Sequence, residues 1–311
     1  FLEKGIEIHN HIAGNGILQG NIVLGTALVD MYAKCGALHK AQKVFAGLPI
    51  RSVVLWNALI SGYTQSGLYE DAIKCFHRMQ LDSLCPDVVT FTSTLRACGS
   101  SGALDKAKQI HVEIAGKGFM VKDIMIGTAL VDSYAKCGEL IKAQHMLNGL
   151  LVRNVISWNA LIAGYVRKGQ GEEALSCFKR MQKEGIPPDA TTFSCVLKGC
   201  SSIRAIQQGK RIHDEVLAKG CSLESNIMLA TSLVDMYVKW ESFAEAHIVF
   251  CSIHFRDIVT WNALLMGYVQ SGHFEKALHA FQVMCREGIC PDSITFTCCL
   301  KSCGCANKIA K

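Results

Sequence analysis

The chain has 311 residues, is 50% apolar and contains 27 Gly but only 5 Pro, a composition that excludes a disordered segment. Its formal charge of +6, from 32 basic and 26 acidic residues, is compatible with a polyanionic partner without demanding one. Like charges never form long blocks, which excludes a basic arm or acidic tail, and the 16 cysteines are too dilute for a secreted disulfide scaffold.

Residues 1–21 read as the tail of one repeat. After them "TALVDMYAKCG" (26–36) returns as "TALVDSYAKCG" (128–138) and again from Thr231 as "TSLVDMYVKW". Aligned on these copies, the chain divides into three unit types that rotate in fixed order. Short units of 31 residues span 22–52, 124–154 and 227–257. Units of 35 residues span 53–87, 155–189 and 258–292. Long units span 88–123 and 190–226, with a truncated one at 293–311. Phe1 stands where an initiator Met would, and the chain opens and closes inside a repeat, so a fragment of a longer array is expected.

Within a 35-residue unit, "WNALISGYTQSG" (56–67) places Leu59, Ile60 and Tyr63 on one face of a short helix ended by Gly67. "LYEDAIKCFHRMQ" (68–80) then aligns Ala72, Cys75, Phe76 and Met79 on one side of a second helix, and Pro86 closes the unit. A lone pair of such helices cannot bury its apolar face, so neighbouring pairs must stack. The expected fold is all-α, a right-handed α-solenoid of stacked helix-turn-helix repeats. Ala72, Ala174 and Ala277 would let helices approach closely, with Phe76, Phe178 and Phe281 filling the space between layers. The uncharged stretch 52–69 carries too many polar and glycine residues for a membrane span.

Two motifs imitate catalytic chemistry. "HVE" (111–113) and "HDE" (213–215) match half of a zinc deaminase signature. The histidines belong instead to a slot shared by His9, His111 and His213, which assigns them to repeat packing. No two cysteines have C-x-x-C spacing, and the cluster Cys298, Cys299, Cys303 and Cys305 lies in a long unit, where Cys already recurs. The recurrent Cys35 and Cys137, Cys75 and Cys177, and Cys98, Cys200 and Cys303 read as small, buried, reduced thiols. No catalytic residue, metal or cofactor is expected in this chain.

"VISWNALIAGYVRKGQGEEALSCFKRMQKEGIPPD" resembles a standard pentatricopeptide repeat. "IMIGTALVDSYAKCGELIKAQHMLNGLLVRN" resembles its short variant and "VVTFTSTLRACGSSGALDKAKQIHVEIAGKGFMVKD" its long one. Their order is that of the plant PLS subclass, and the resemblance covers essentially the whole chain. It implies modular recognition of single-stranded RNA, one nucleotide per repeat. The uniform 34-residue period of tetratricopeptide scaffolds does not fit the 31/35/36 rotation.

In that family the fifth and last residues of each unit select the base. Carried over, the standard units present Asn57 with Asp87, Asn159 with Asp189 and Asn262 with Asp292, a pyrimidine-favouring combination, usually U over C. The short units present Thr26 with Ser52, a purine reader, Thr128 with Asn154, resembling the adenine reader, and Thr231 with Asp257, resembling the guanine reader. In the long units the candidates are Thr92 with Asp123 and Ser194 with Asn226, whose base choice stays open. The resemblance thus implies the target R-Y-x-A-Y-x-G-Y, 5′ to 3′ from the N-terminal end. Chemistry agrees, since a carboxamide offers both a donor and an acceptor to a pyrimidine edge and a compact hydroxyl leaves room for a purine. The competing reading of such Asn and Thr residues is helix capping.

Second residues Val23, Val54, Met125, Ile156, Met228 and Val259 would sandwich bases through apolar contacts. Lys34, Lys136 and Lys239 would meet phosphates, the alternative being helix-end charges that favour the dipole. The resemblance also implies a mitochondrial or chloroplast location and a role as the recognition module of a C-to-U RNA editing factor, with editing-complex proteins as further partners. The alternatives are non-catalytic RNA stabilisation, splicing or translation, and a protein-interaction solenoid.

Overall fold

A hydrogen-bond acceptor on a short side chain, followed by an apolar run, is the pattern that starts a helix. It stands ahead of every unit: Asn21, Ser52, Asp87, Asp123, Asn154, Asp189, Asn226, Asp257 and Asp292. The computed structural model describes residues 1–14, 21–118, 123–219, 226–254 and 256–309. Those residues form 18 α-helices, and no strand is found among them.

The chain divides into two compact units, residues 1–164 and 165–311. The first contains α1 (Leu2–Gly14), α2 (Ile22–Lys34), α3 (Leu38–Gly47), α4 (Val53–Gln65), α5 (Tyr69–Leu81), α6 (Val88–Ser101), α7 (Leu104–Gly116), α8 (Ile124–Lys136) and α9 (Leu140–Gly149), and α10 (Val155–Arg167) crosses the division. The second contains α11 (Gly171–Lys183), α12 (Ala190–Ser202), α13 (Ile206–Ala218), α14 (Ile227–Lys239), α15 (Phe243–Cys251), α16 (Ile258–Gln270), α17 (Phe274–Arg286) and α18 (Ser293–Ile309). Nine helices, from α2 at Ile22 to α18 at Ser293, begin on the residue at which a sequence unit begins.

Within the first unit α2, α4, α6 and α8 pack side by side in chain order, and α3, α5 and α7 each lie against their own partner and the next first helix. Within the second, α12, α14, α16 and α18 form the same kind of row, flanked by α11 and α17. The close approach depends on glycine. At Gly62 a Cβ would sit 2.5 Å from the Cβ of Ala33, and at Gly164 it would sit 2.8 Å from Leu140. Gly67 ends its helix with φ of +77°, the left-handed conformation that releases a chain from a helix.

Ala72, Ala174 and Ala277 are fully buried, and Phe76 and Phe178 are buried beside Phe91 and Phe193, as the sequence predicts. Phe281 departs from that expectation. It remains half-buried against Phe296, itself 51% exposed, because no second helix follows α18 among the described residues.

The cysteines also divide more unevenly than expected. None of the fifteen described is in a disulfide; Cys75, Cys98, Cys177, Cys200 and Cys298 are buried, but Cys35, Cys85, Cys251, Cys285, Cys290, Cys303 and Cys305 are exposed. Burial pushes the Cys98 and Cys200 thiols up to about 12, which keeps them protonated and inert. The shared histidine slot is structural: Nδ1 of His9, His111 and His213 lies 2.8 Å from the hydroxyl of Tyr32, Tyr134 and Tyr237 respectively. Each ring also meets its tyrosine edge-on.

Candidate nucleic-acid interface

The unit-closing side chains define where each first helix begins. Asp87 Oδ1 accepts from the backbone N–H of Thr90 at 2.9 Å, Asp189 from Thr192 at 2.7 Å, Asp257 from Thr260 at 2.8 Å and Asp292 from Thr295 at 2.9 Å. Ser52, Asp123, Asn154 and Asn226 do the same for Leu55, Met125, Ser157 and Leu229. Every residue assigned as the second base selector is therefore an N-cap, and capping falls on the last residue of a unit rather than on the fifth.

The fifth residues lie one turn inside the first helix and are more enclosed than a freely reading side chain would be. Asn57, Asn159 and Asn262 are 7, 8 and 6% exposed, and Thr128 is 9% exposed. Asn57 is held by the next unit: its Nδ2 donates to Asp87 Oδ1 at 2.9 Å and Oδ2 at 3.1 Å, while its Oδ1 accepts from the Thr90 hydroxyl at 2.5 Å. Asn262 repeats this with Asp292, at 3.1 Å to each oxygen, and with Thr295 at 2.7 Å. Burial opposes ionisation of Asp87, but the hydrogen bonds from Thr90 and Asn57 outweigh it and hold the carboxyl below its ordinary value. Asp292 is lowered by the backbone N–H of Thr295, with help from Asn262.

The hydroxyls behave differently. Thr26 Oγ1 donates back to Ile22 O at 2.8 Å and Thr92 Oγ1 to Val89 O at 3.1 Å. Thr231 reaches Asp257 through Thr260, whose hydroxyl is 2.7 Å from both partners. The Thr128 hydroxyl is buried without a hydrogen-bond partner. Ser194 departs furthest from its assignment. It is the most enclosed of the fifth residues, 2% exposed, and its hydroxyl is buried without a hydrogen-bond partner.

The apolar slot stands out from the surface. Val23, Val54, Met125, Ile156, Met228 and Val259 are all exposed, from 48% for Met228 to 81% for Val23. Two residues of the same kind were absent from the sequence-based set: Val89 and Ile294, each second in a long unit, are 48 and 45% exposed. Their position in the unit was the available signal.

The three lysines expected to meet phosphates each stand in an ion pair. Lys34, Lys136 and Lys239 are tied to Asp30, Asp132 and Asp235 one turn earlier, at 2.6, 2.7 and 2.8 Å. Each is thus half of a neutral pair rather than a free cation.

In the first unit these side chains converge. A groove of about 790 Å³ between α2, α4 and the start of α6 is lined by Val23, Thr26, Lys34, Ser52, Val54, Asn57, Asp87 and Val89, among others. Aliphatic Val23, Val54 and Val89 share its lining with the polar Thr26, Ser52, Asn57 and Asp87, a mixture suited to a ligand. The described residues contain no cluster able to hold a metal ion and no helix long and apolar enough to cross a membrane.

The model of the PPR repeat family matches residues 51–100, 153–202 and 256–305, and that of the PPR repeat matches 89–119 and 128–155, together more than half of the chain. The pentatricopeptide repeat-containing protein At2g33680 of Arabidopsis thaliana is 36% identical over 303 residues, 97% of this chain and 41% of that protein. From the same plant, At4g18520, chloroplastic, is 36% identical over 97% of this chain and 48% of its own length, and At3g09040, mitochondrial, is 36% identical over 97% and 29%. The chain spans less than half the length of these relatives. Among solved structures, PPR10 in complex with an 18-nt psaJ RNA element superposes with a TM-score of 0.76 at 17% identity, over 96% of this chain and 45% of that one. PPR10 from maize gives 0.69 at 18% identity, over 97 and 49%. At such identities the likeness is one of fold, the α-solenoid of stacked helix-turn-helix repeats.

Proposed function

The chain belongs to the pentatricopeptide repeat family, and on that premise we propose that it binds single-stranded RNA, one nucleotide to each repeat unit, in the order R-Y-x-A-Y-x-G-Y. The observation that carries the reading is the groove at Asn57. There an aliphatic side chain from each of two successive units, Val23 and Val54, lines one groove with the polar pair Asn57 and Asp87 and with Lys34. Aliphatic faces hold a base plane by contact, and the polar side chains of the same groove meet its edge. The superposition with PPR10, solved in complex with RNA, supports the same use of the fold.

The chain's part is recognition. We propose further that it positions a C-to-U editing activity, supplied by another segment or a partner, on a transcript of a mitochondrion or chloroplast. Relatives named chloroplastic and mitochondrial support that location. The test is fluorescence anisotropy with a labelled RNA carrying the octamer against a scrambled RNA of equal length and composition. Preference for the octamer by at least tenfold, about 1.4 kcal/mol, is expected. Equal affinity for both would overturn sequence reading and favour a protein-interaction solenoid. Cytidine conversion in octamer-bearing transcripts, with the full-length protein, tests the editing role.

A further inference from the structure

We infer that the ninth residue of each long unit, Arg96, Lys198 and Lys301, holds the RNA strand by a phosphate group, so that the long units anchor the backbone. The inference rests on the RNA binding proposed above and names residues outside the base-selecting pairs.

The three cations occupy one recurrent slot, each on the first helix of its unit, α6, α12 and α18. All three are exposed. Among the described residues none of them is in an ion pair, unlike Lys34, Lys136 and Lys239 of the short units. The local sequence explains the difference. Three and four residues to either side of Arg96 stand Thr92, Ser93, Gly99 and Ser100. Around Lys198 they are Ser194, Cys195, Ser201 and Ser202, and around Lys301 Thr297, Cys298, Gly304 and Cys305. Those are the places from which a carboxylate could pair along the helix, and all of them are uncharged. An unpaired cation keeps its charge for a ligand, whereas a paired one must first leave its partner.

The slot lies on the groove side of its helix. The groove at Asn57 is lined from α4 by the second, fifth, ninth and thirteenth residues of the unit, Val54, Asn57, Ser61 and Gln65, and from α2 by the same four positions. Its lining continues onto α6: Val89 belongs to it, and the Ser93 hydroxyl lies 3.0 Å from that of Ser61. Arg96 follows Val89 by seven residues, just under two turns, which sets the two about 20° apart around the helix. Lys198 stands in the same relation to the exposed Thr191, and Lys301 to the exposed Ile294.

The ninth residue is Asp30, Asp132 and Asp235 in the short units and Ser61, Ala163 and Met266 in the standard ones. Positive charge at this slot therefore comes once in three units. A cation on a phosphate positions a strand and carries no sequence information, and the long units are the ones without an assigned base. The short and standard units choose bases, and the long units fix the register.

The experiment measures binding of the chain to a labelled octamer RNA at KCl from about 50 to 200 mM. Each of Arg96→Gln, Lys198→Gln and Lys301→Gln is expected to flatten the slope of log K against log salt by about 0.7 and to weaken binding roughly fivefold at about 0.1 M salt. Preference for the octamer over its scrambled counterpart stays at the wild-type value. Arg96→Lys, which keeps the charge, keeps the slope. Lys179→Gln, at an exposed lysine of the second helix α11, removes the same charge elsewhere and leaves the slope unchanged. Wild-type slopes in the three glutamine variants, an equal loss in Lys179→Gln, or an altered preference between the two RNAs overturns the inference alone. A wild-type chain that binds neither RNA overturns the RNA-binding reading beneath it.

Discussion

Nδ2 of Asn57 donates to Oδ1 of Asp87 at 2.9 Å across a separation of 30 residues, joining two successive repeats through the side chains assigned to read one base. The bond is charge-assisted and half-buried, so each partner strands the other when removed. Asn57→Ala and Asp87→Ala are expected to be less than additive in urea unfolding, with a coupling of about 1.5–3 kcal/mol. Additive losses would show that the pair is not formed.

Exchanging the pair should exchange the base. Asn57→Thr with Asp87→Asn recreates the Thr128 and Asn154 combination and is expected to move the second octamer position from pyrimidine to adenine. Each mismatch should cost on the order of 1–3 kcal/mol if RNA sites behave as DNA sites do. A randomised-RNA selection reads the outcome directly.

The Asp–Lys pairs of the short units predict a gain by removal. Asp30→Asn, Asp132→Asn and Asp235→Asn free Lys34, Lys136 and Lys239 for phosphate and add counterion release on RNA binding. Affinity should rise at low salt, the slope of log K against log salt should steepen by up to about 0.7 per lysine engaged, and preference among sequences should not change. Stability should fall by less than about 1 kcal/mol, because exposed i,i+4 pairs contribute little.

The histidine slot predicts a stability profile in pH. Burial, aided for His111 by Lys142, depresses the His111 and His213 imidazoles below the ordinary 6.5. The unfolded chain then binds protons that the folded chain refuses, so their contribution is present above about 6.5 and is lost as pH falls toward the folded values. Urea midpoints should decline from pH 8 to pH 5. The double variant His111→Gln, His213→Gln should show a shallower decline.

Gly62 predicts a steric limit. Its absent Cβ is the space that the Ala33 methyl occupies, and Gly267 stands in the same way against Val238. Gly62→Val should destabilise by roughly 1–3 kcal/mol through overpacking, measured by thermal unfolding.

Much of this was legible in the sequence because repetition compares a chain with itself. Ile22, Val53 and Val88 mark both unit boundaries and helix starts, and Gly67 is visible as a break. The Asp30–Lys34 pair was also written there, at a spacing of four, but a lysine considered apart from its helix looks like a free charge. The bonds from Thr90 to Asn57 join residues 33 apart, and only stacking brings them together. Phe281 misled because a residue's position in the repeat does not say whether the neighbouring layer covers it.

The double duty proposed for each unit's final residue narrows what selection can try. A side chain there must launch a helix before it can address a nucleotide, so Ser, Thr, Asn and Asp are admissible while Lys, Leu or Ala would fray the turn they precede. On the proposed reading the alphabet for retargeting is short, and a new RNA target is reached by small steps that leave the scaffold folded.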